Sequence, residues 1–465
     1  MIDLSHLKGR RYGVFGLGRT GLAAVKALVA GGAHVVAWDD AEALRAAAAD
    51  AGAEIADLAR RPLGDLAGIV WSPGAPFLAP KPLAAASRAR LAGVPILSDA
   101  QLLLDALPEA TVVGVTGSNG KSTTTALLAH ILEVAGRPVA VGGNLGPPTL
   151  GLDMLGPDGV YVLELSSYQL ELTPRPRFAA ALFLNLEADH LERHGGLHAY
   201  AGAKRRVFEG PGTAVVGVDD AHGRWLLPRL EGRRRVVEIS AERPVAGVHA
   251  DETTLYDAID GAAVPVFDFA RATALGGRHN RQNAAAAYAA ARALGLRPSE
   301  ITPALASFPG LPHRQELART IGHVRYVNDS KATNAPAAAR ALASFERIHW
   351  IVGGLPKDGG LAGVEPWLDR VVAAYLIGEA APAFRRQLAQ MAPGLQIASL
   401  GALDRALQAA HAAAQADPAA SVVLLSPACA SFDQFRSYEA RGDAFREAVL
   451  RLPQHPEAQP EGAAA

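Results

Sequence analysis

With 465 residues, 49% of them apolar and 20% charged, the chain can fill two to four compact units and carries too little charge to remain disordered. Its 45 Lys and Arg against 46 Asp and Glu give a net charge of −1, which argues against a nucleic-acid binder but leaves room for small anions held by local cations. A single cysteine, Cys429, excludes an intramolecular disulfide and a thiolate metal cluster, and no apolar run reaches about 18 residues. A cytoplasmic protein without a membrane span, working as a monomer, is expected.

Short β-rich runs alternate with Ala-rich helical stretches, the pattern of an α/β fold with mostly parallel sheets. Three strand–glycine–helix beginnings mark three domains: Tyr12–Phe15 into Gly16, Thr111–Val115 into Thr116-Gly117, and Ile348–Val352 into Gly353-Gly354. Boundaries are placed near residue 104 and at the Pro/Gly-rich stretch ending at Pro312. The expected units are 1–104, 105–312 and 313–453, followed by a disordered tail over 454–465. Residues 231–275 are read as small strands.

The first nucleus carries Gly16-Leu-Gly18-Arg19-Thr20-Gly21, and Asp39 ends the next strand 23 residues after Gly16. Taken by itself this is a dinucleotide fingerprint, so NAD stands as one reading of these residues. The second nucleus opens Gly114-Val-Thr-Gly117-Ser118-Asn119-Gly120-Lys121-Ser122-Thr123, whose glycines let backbone N–H groups curl around an anion at a helix N-terminus. Lys121 is placed to reach the β- and γ-phosphates of a nucleotide and Ser122 to bind Mg²⁺. A strict Walker loop has glycine where Val115 stands. Next come strand-end Glu164 in Glu164-Leu-Ser-Ser-Tyr-Gln, then Asp189-His190, then Lys204 ahead of two arginines. Only seven lysines stand against 38 arginines, and four of them, at 121, 204, 331 and 357, fall in these motifs or in the C-terminal ones below. A lysine can lose its proton and react, which an arginine cannot.

Together these motifs resemble the Mur ligases and their folate-polyglutamating relatives. The resemblance implies an N-terminal Rossmann-like UDP-binding domain, a central P-loop-type ATPase and a C-terminal Rossmann-like domain. It implies ATP as co-substrate and Mg²⁺ as cofactor, with no NAD. ATP would meet Gly117, Ser118, Asn119, Gly120, Lys121, Ser122 and Thr123, with Asn280 and Asn283 on the adenine side and Arg314 and Asp329 further on. The metal would be held by Ser122, Glu164, His190 and Lys204, the last as a carbamate, with Asp189 orienting His190. His194 and His198 are read as surface residues. The first glycine loop would hold a diphosphate through Gly18, Arg19 and Thr20, with Asp39, Ser72, Gly74 and Asn144 completing the UDP-sugar site. The segment Ser426-Pro-Ala-Cys429-Ala-Ser431 resembles the D-glutamate-adding branch, which assigns Lys331, Thr333, Lys357, Ser431 and Tyr438 to that amino acid. The implied partners are UDP-N-acetylmuramoyl-L-alanine, D-glutamate and ATP, in bacterial cell-wall synthesis. Cys429 is assigned to packing. Another muramyl or folate ligase, or a nucleotide-binding regulator without catalysis, remains open on the residues alone.

Overall fold

The computed structural model describes residues 1–453 apart from 79, 80, 190 and 358; the expected tail, 454–465, lies outside the described residues. The chain divides into two compact units, Met1–Phe308 and the chain from Pro309 onward.

The first unit holds two sheets. One is entirely parallel, built from β1 (Arg11–Phe15), β2 (His34–Trp38), β3 (Glu54–Ile55), β4 (Gly68–Trp71) and β5 (Ile96–Leu97), in the order 3-2-1-4-5. The β1 run Tyr12-Gly-Val is buried on both faces because helices cover the sheet, hence its lack of polar alternation. The third glycine of the first motif, Gly21, sits where helix Arg19–Ala30 crosses the end of β1, and a Cβ there would lie 1.8 Å from the Gly16 carbonyl oxygen. That approach, not chain flexibility, is what requires glycine.

The second sheet contains β6 (Thr111–Thr116), β7 (Val139–Gly143), β8 (Val160–Glu164), β9 (Ala180–Phe183), β10 (Thr213–Gly217), β11 (Val236–Ser240), β12 (Gly247–Ala250), β13 (Thr254–Asp257) and β14 (Val264–Asp268). Its order is 14-13-12-11-10-9-6-8-7, and only β12–β13 and β13–β14 pair antiparallel. The small strands expected within 231–275 are therefore the sheet's far edge. In register, Val115 faces Glu164 and Glu164 faces Gly143, so the ends of β6, β8 and β7 finish side by side.

Residue 104 lies inside helix Asp99–Ala106, which joins the two sheets. Ser98 caps this helix by accepting from the Gln101 N–H at 3.1 Å and also bonds Thr173 Oγ1 at 2.8 Å. Buried Asp99 accepts from the Thr149 N–H at 3.1 Å. At the other end Arg177 Nη2 donates to the Leu104 and Leu107 carbonyls at 2.9 and 3.2 Å, taking up acceptors that a helix leaves unpaired. Both ends of the connector are thus fastened to segments between the strands of the second sheet, and one apolar core runs through residues of both sheets, from Val14 and Val70 to Leu163 and Phe183.

The second unit has β15 (Glu316–Ile321), β16 (Val324–Asn328), β17 (Ile348–Gly353), β18 (Val371–Ile377), β19 (Gln396–Gly401) and β20 (Ser421–Leu425), in the order 15-16-20-17-18-19. Only β15 runs antiparallel. The architecture is α/β with three mostly parallel sheets.

Gly21→Ala is expected to destabilise the first unit by about 1–3 kcal/mol, the usual size of an overpacking penalty. A lowered midpoint of its urea transition checks this; an unchanged midpoint would contradict the close approach.

Candidate active site

Strand β6 ends at Thr116 and the chain turns through Gly117 and Gly120 into helix Lys121–Val134. Gly120 caps that helix at φ +81°, and a Cβ on it would stand 2.2 Å from Asn283 Oδ1. Asn283 is buried and also accepts from Thr124 Oγ1 at 3.3 Å, so the helix Arg278–Ala293 is pressed against the loop through this residue. Asn280 Nδ2 donates to the Gly276 carbonyl at 3.0 Å and does not cap the helix, whose N-cap is Gly277.

The loop is fastened on its other side to the segment after β9. The Asn119 N–H donates to Asn185 Oδ1 at 2.8 Å, Asn119 Nδ2 to Glu187 Oε2 at 2.8 Å, and the Glu187 N–H to Ser118 Oγ at 2.9 Å. Lys121 Nζ folds back over the loop onto the Gly117 and Ser118 carbonyls, both at 2.9 Å. Ser122 and Thr123 occupy the first helical turn.

Lys204 lies at the end of helix Leu197–Arg205 and is 2% exposed. Its Nζ donates to the Gly117 carbonyl at 2.7 Å, the same oxygen that accepts from Lys121. Burial first, and the Lys121 charge second, push its amine well below the ordinary lysine range. Tyr200, one turn earlier on the same helix, carries its ring 4.7 Å from Lys204 Nζ and shares a 3.0 Å hydrogen bond with Ser118 Oγ. Burial pushes this phenol up to about 12.

Glu164 is 1% exposed. Its Oε1 accepts from Asn144 Nδ2 at 2.6 Å, while its Oε2 is buried with no hydrogen-bond partner among the described residues. A buried carboxylate oxygen left without a donor is unfavourable, and a hard divalent cation is a partner that would complete it. Among the described residues no three His, Cys, Asp or Glu gather into a ready-made cluster; His190 lies outside them. His194 is not a surface residue: it is buried, with its ring nitrogens 2.9 Å from Ser167 Oγ and 3.0 Å from Glu171 Oε1. His198 is exposed, as expected.

A cavity of about 350 Å³ opens over these groups. Arg19, Thr20 and Gly74 line it from the first sheet, and Lys121, Asn144, Asp189 and Lys204 from the second. Residues expected to hold a UDP-sugar, a nucleotide phosphate and a metal therefore share one cavity within the first unit. Gly18, Asp39 and Ser72 are not among the residues that line it. Gly18 caps helix Arg19–Ala30, Asp39 accepts from the Leu17 and Ala41 N–H groups at 2.7 and 2.9 Å, and the Ser72 side chain sits against Gly16.

In the second unit, the loops after β16 and β20 meet, because those strands are neighbours. Lys331 Nζ donates to Tyr438 Oη at 2.7 Å, and Ser330 Oγ to the Tyr438 carbonyl at 2.8 Å. Arg441, 1% exposed, ties the two loops by donating to Ser330 Oγ and to the Ser330 and Cys429 carbonyls at 2.9–3.1 Å. Ser431 is buried beside them, while Arg314 and Lys357 are exposed and Thr333 half-buried. Asp329 is internal: it accepts from Ser426 Oγ at 2.8 Å and the Gln315 N–H at 3.2 Å, and burial pushes its carboxyl up to about 7. Burial likewise pushes the Cys429 thiol up to about 12, consistent with packing and not reactivity.

Sequence reasoning passed over Tyr200, Asn185 and Arg441. Tyr200 was within reach, since it precedes Lys204 by four residues and so shares its helix face. Arg441, a charged residue between Ala440 and Gly442, carries no signal of its burial.

Residues 115–291 match the Mur ligase middle domain. Over 464 residues the chain is 49% identical to the UDP-N-acetylmuramoylalanine–D-glutamate ligase of Phenylobacterium zucineum, covering 97% of this chain and 98% of that protein. It is 49% identical over 460 residues to the enzyme of the same name from Paramagnetospirillum magneticum, covering 98% and 99%. Among solved structures, a UDP-N-acetylmuramate–alanine ligase from Thermotoga maritima superposes with a TM-score of 0.56 at 18% identity, over 95% of this chain and 99% of that one. A UDP-N-acetylmuramoyl-L-alanyl-D-glutamate–2,6-diaminopimelate ligase gives 0.56 at 18%, over 97% and 95%. These structural likenesses establish the fold.

The Asp329 carboxyl, raised from 3.8 to about 7, binds its proton more tightly in the folded state. Its stabilising contribution is complete below about 3.8 and is lost as pH rises through about 7. Denaturant midpoints of the second unit should fall between pH 4 and 8 (about the interval between those two values), and Asp329→Asn should flatten that fall. Identical slopes for the two proteins would contradict the burial argument.

Proposed function

The chain belongs to the UDP-N-acetylmuramoylalanine–D-glutamate ligase family, and from that premise we propose that it joins D-glutamate to UDP-N-acetylmuramoyl-L-alanine with cleavage of ATP, a step of peptidoglycan precursor synthesis. The observation that carries this reading is the single cavity shared by Arg19, Thr20, Asn144, Lys121 and Lys204. It brings the two glycine loops read as holding the diphosphate and the nucleotide phosphates to one place, which transfer of the γ-phosphate to a bound sugar-peptide carboxylate requires.

In this reading Lys121 swings from its loop carbonyls to the β- and γ-phosphates, and the first-turn N–H groups of Lys121 to Thr123 hold their oxygens. Asn280 and Asn283 serve the adenine side, with Arg314 and Asp329 assigned to the nucleotide as well. The first glycine loop binds the diphosphate of the UDP-sugar and not NAD. Lys331, Thr333, Lys357, Ser431 and Tyr438 form the D-glutamate subsite, where two carboxylates need cations and hydroxyl donors.

Mg²⁺ is assigned to Ser122, to Glu164, whose Oε2 has no hydrogen-bond partner among the described residues, to His190, which lies outside them, and to Lys204 as its carbamate. When bound, it offsets the repulsion between the γ-phosphate and the carboxylate that receives it. The carbamate forms when the neutral amine of Lys204 attacks CO₂: a C–N bond is made, one C=O π pair moves onto oxygen, and the surplus N–H proton leaves to water. Burial favours the neutral amine this needs, and the product sets an anion beside Lys121. Once the carboxylate is phosphorylated, the amine of D-glutamate displaces phosphate and leaves an amide.

Three measurements test this. Supplied with the UDP-sugar and ATP, the enzyme should incorporate D-glutamate and reject L-glutamate, L-alanine and diamino acids; incorporation of one of the others would move it to another branch. Lys121→Ala should lower kcat by roughly 10²-fold or more, as expected for loss of a charge on the transferring phosphoryl group. Lys204→Arg, which keeps the cation but cannot form the carbamate, should lower kcat by at least about 10²-fold. Wild-type rates in that variant would remove the carbamate from the account.

A further inference from the structure

The short helix Ser167–Glu171 and the helix Leu191–His194 bring together three side chains that neither the phosphate loop nor the assigned metal set uses. Ser167 Oγ lies 2.9 Å from His194 Nε2, and His194 Nδ1 lies 3.0 Å from Glu171 Oε1. Ser167 and Glu171 are four residues apart, so helical spacing puts them on one face, and His194 spans the gap between them. A carboxylate accepts and does not donate. Nδ1 therefore carries the imidazole hydrogen, and Nε2 is left to accept the Ser167 O–H.

The imidazole is closed off from water. Its side chain is 0% exposed, the Tyr168 ring stacks on it at 5.3 Å, and the Tyr200 ring of helix Leu197–Arg205 packs at 5.3 Å. The charged groups around it are Glu171 and Arg193, whose Nη2 lies 3.7 Å from Glu171 Oε2. Ser167, at the open end of this chain of hydrogen bonds, lines the same cavity as Lys121, Asn144 and Lys204. A hydroxyl on a reaction cavity, with an oriented imidazole behind it, can take up one proton only while giving up another, which is the geometry of a relay.

We propose that Ser167 is a further catalytic residue, which carries the proton of the attacking amine to His194 and returns it to the departing phosphate. The proposal rests on the ligase reading above. The amine, having given its first proton to water, attacks the acyl-phosphate carbonyl carbon; a C–N bond forms and the C=O π pair moves onto oxygen. The surplus N–H proton passes to Ser167 Oγ as the Ser167 proton moves to His194 Nε2, leaving an imidazolium held by Glu171. Collapse restores the C=O bond and breaks the bond from carbon to the phosphate oxygen. The proton runs back through Ser167 to that oxygen, so the products are the amide and hydrogen phosphate, and the relay is reset without a co-reactant. His194 and Glu171 act through Ser167 and are positioning residues.

The two chemical steps can be read separately in the full-length enzyme. Acyl phosphate is trapped by borohydride reduction with ATP and the UDP-sugar alone, and amide is measured after adding D-glutamate. Ser167→Ala, His194→Gln and Glu171→Gln should form acyl phosphate within about two-fold of wild type while kcat for the amide falls by roughly 10²-fold, with little change in KM for D-glutamate. Equal losses in both steps, or an unchanged amide kcat, would overturn the relay. A wild-type enzyme that yields no trapped acyl phosphate would overturn the ligase reading, and the relay with it.

Discussion

Two lysine amines meet on one carbonyl oxygen, that of Gly117, and much of the site follows from this. Lys204 approaches it from a buried helix at 2.7 Å and Lys121 from the loop's own helix at 2.9 Å. Two ammonium groups so placed repel each other, and the one withdrawn from water gives up its proton more easily. Burial of Lys204 is imposed by its neighbours: Tyr200 covers it from one turn away and is itself bonded to Ser118 of the loop. The loop, the lysine and the tyrosine form one unit, so the protonation of the amine and the shape of the glycine loop are set together.

Sheet topology supplies the rest. Because β6, β8 and β7 are parallel and in register at Val115, Glu164 and Gly143, the residues that follow each strand emerge at one level. Asn144 thus meets Glu164, and both lie beside the phosphate loop, at the carboxyl edge where open α/β sheets bind their ligands. The first sheet reaches the same cavity because the connector Asp99–Ala106 is held at both ends. A loosely tethered first sheet could not keep Arg19 and Thr20 opposite Lys121.

Much of this was legible in the residues. The three strand–glycine nuclei are β1, β6 and β17. What stayed hidden depends on partners distant in sequence. His194 reads as a surface histidine because its four-residue helix has no period to show an inward face, and its partners lie 23 and 27 residues away. Asp329 sits among polar residues in sequence, yet the pairing of β16 with β20 buries it against Ser426. Arg441, two residues after Glu439, looks solvated, although four backbone and hydroxyl oxygens of two loops converge on it. The union of the first two sheets in one unit rests on Ser98, Asp99 and Arg177, whose caps point to partners that helix periodicity does not record.

The central claim is that the buried amine of Lys204 becomes an anion by taking up CO₂. Carbon-13 NMR of the enzyme in ¹³C-bicarbonate tests it most directly. The account predicts one protein-bound carbamate resonance in the wild type, absent from the Lys204→Arg variant. An active wild-type enzyme showing no such resonance, or one that persists in Lys204→Arg, would contradict it.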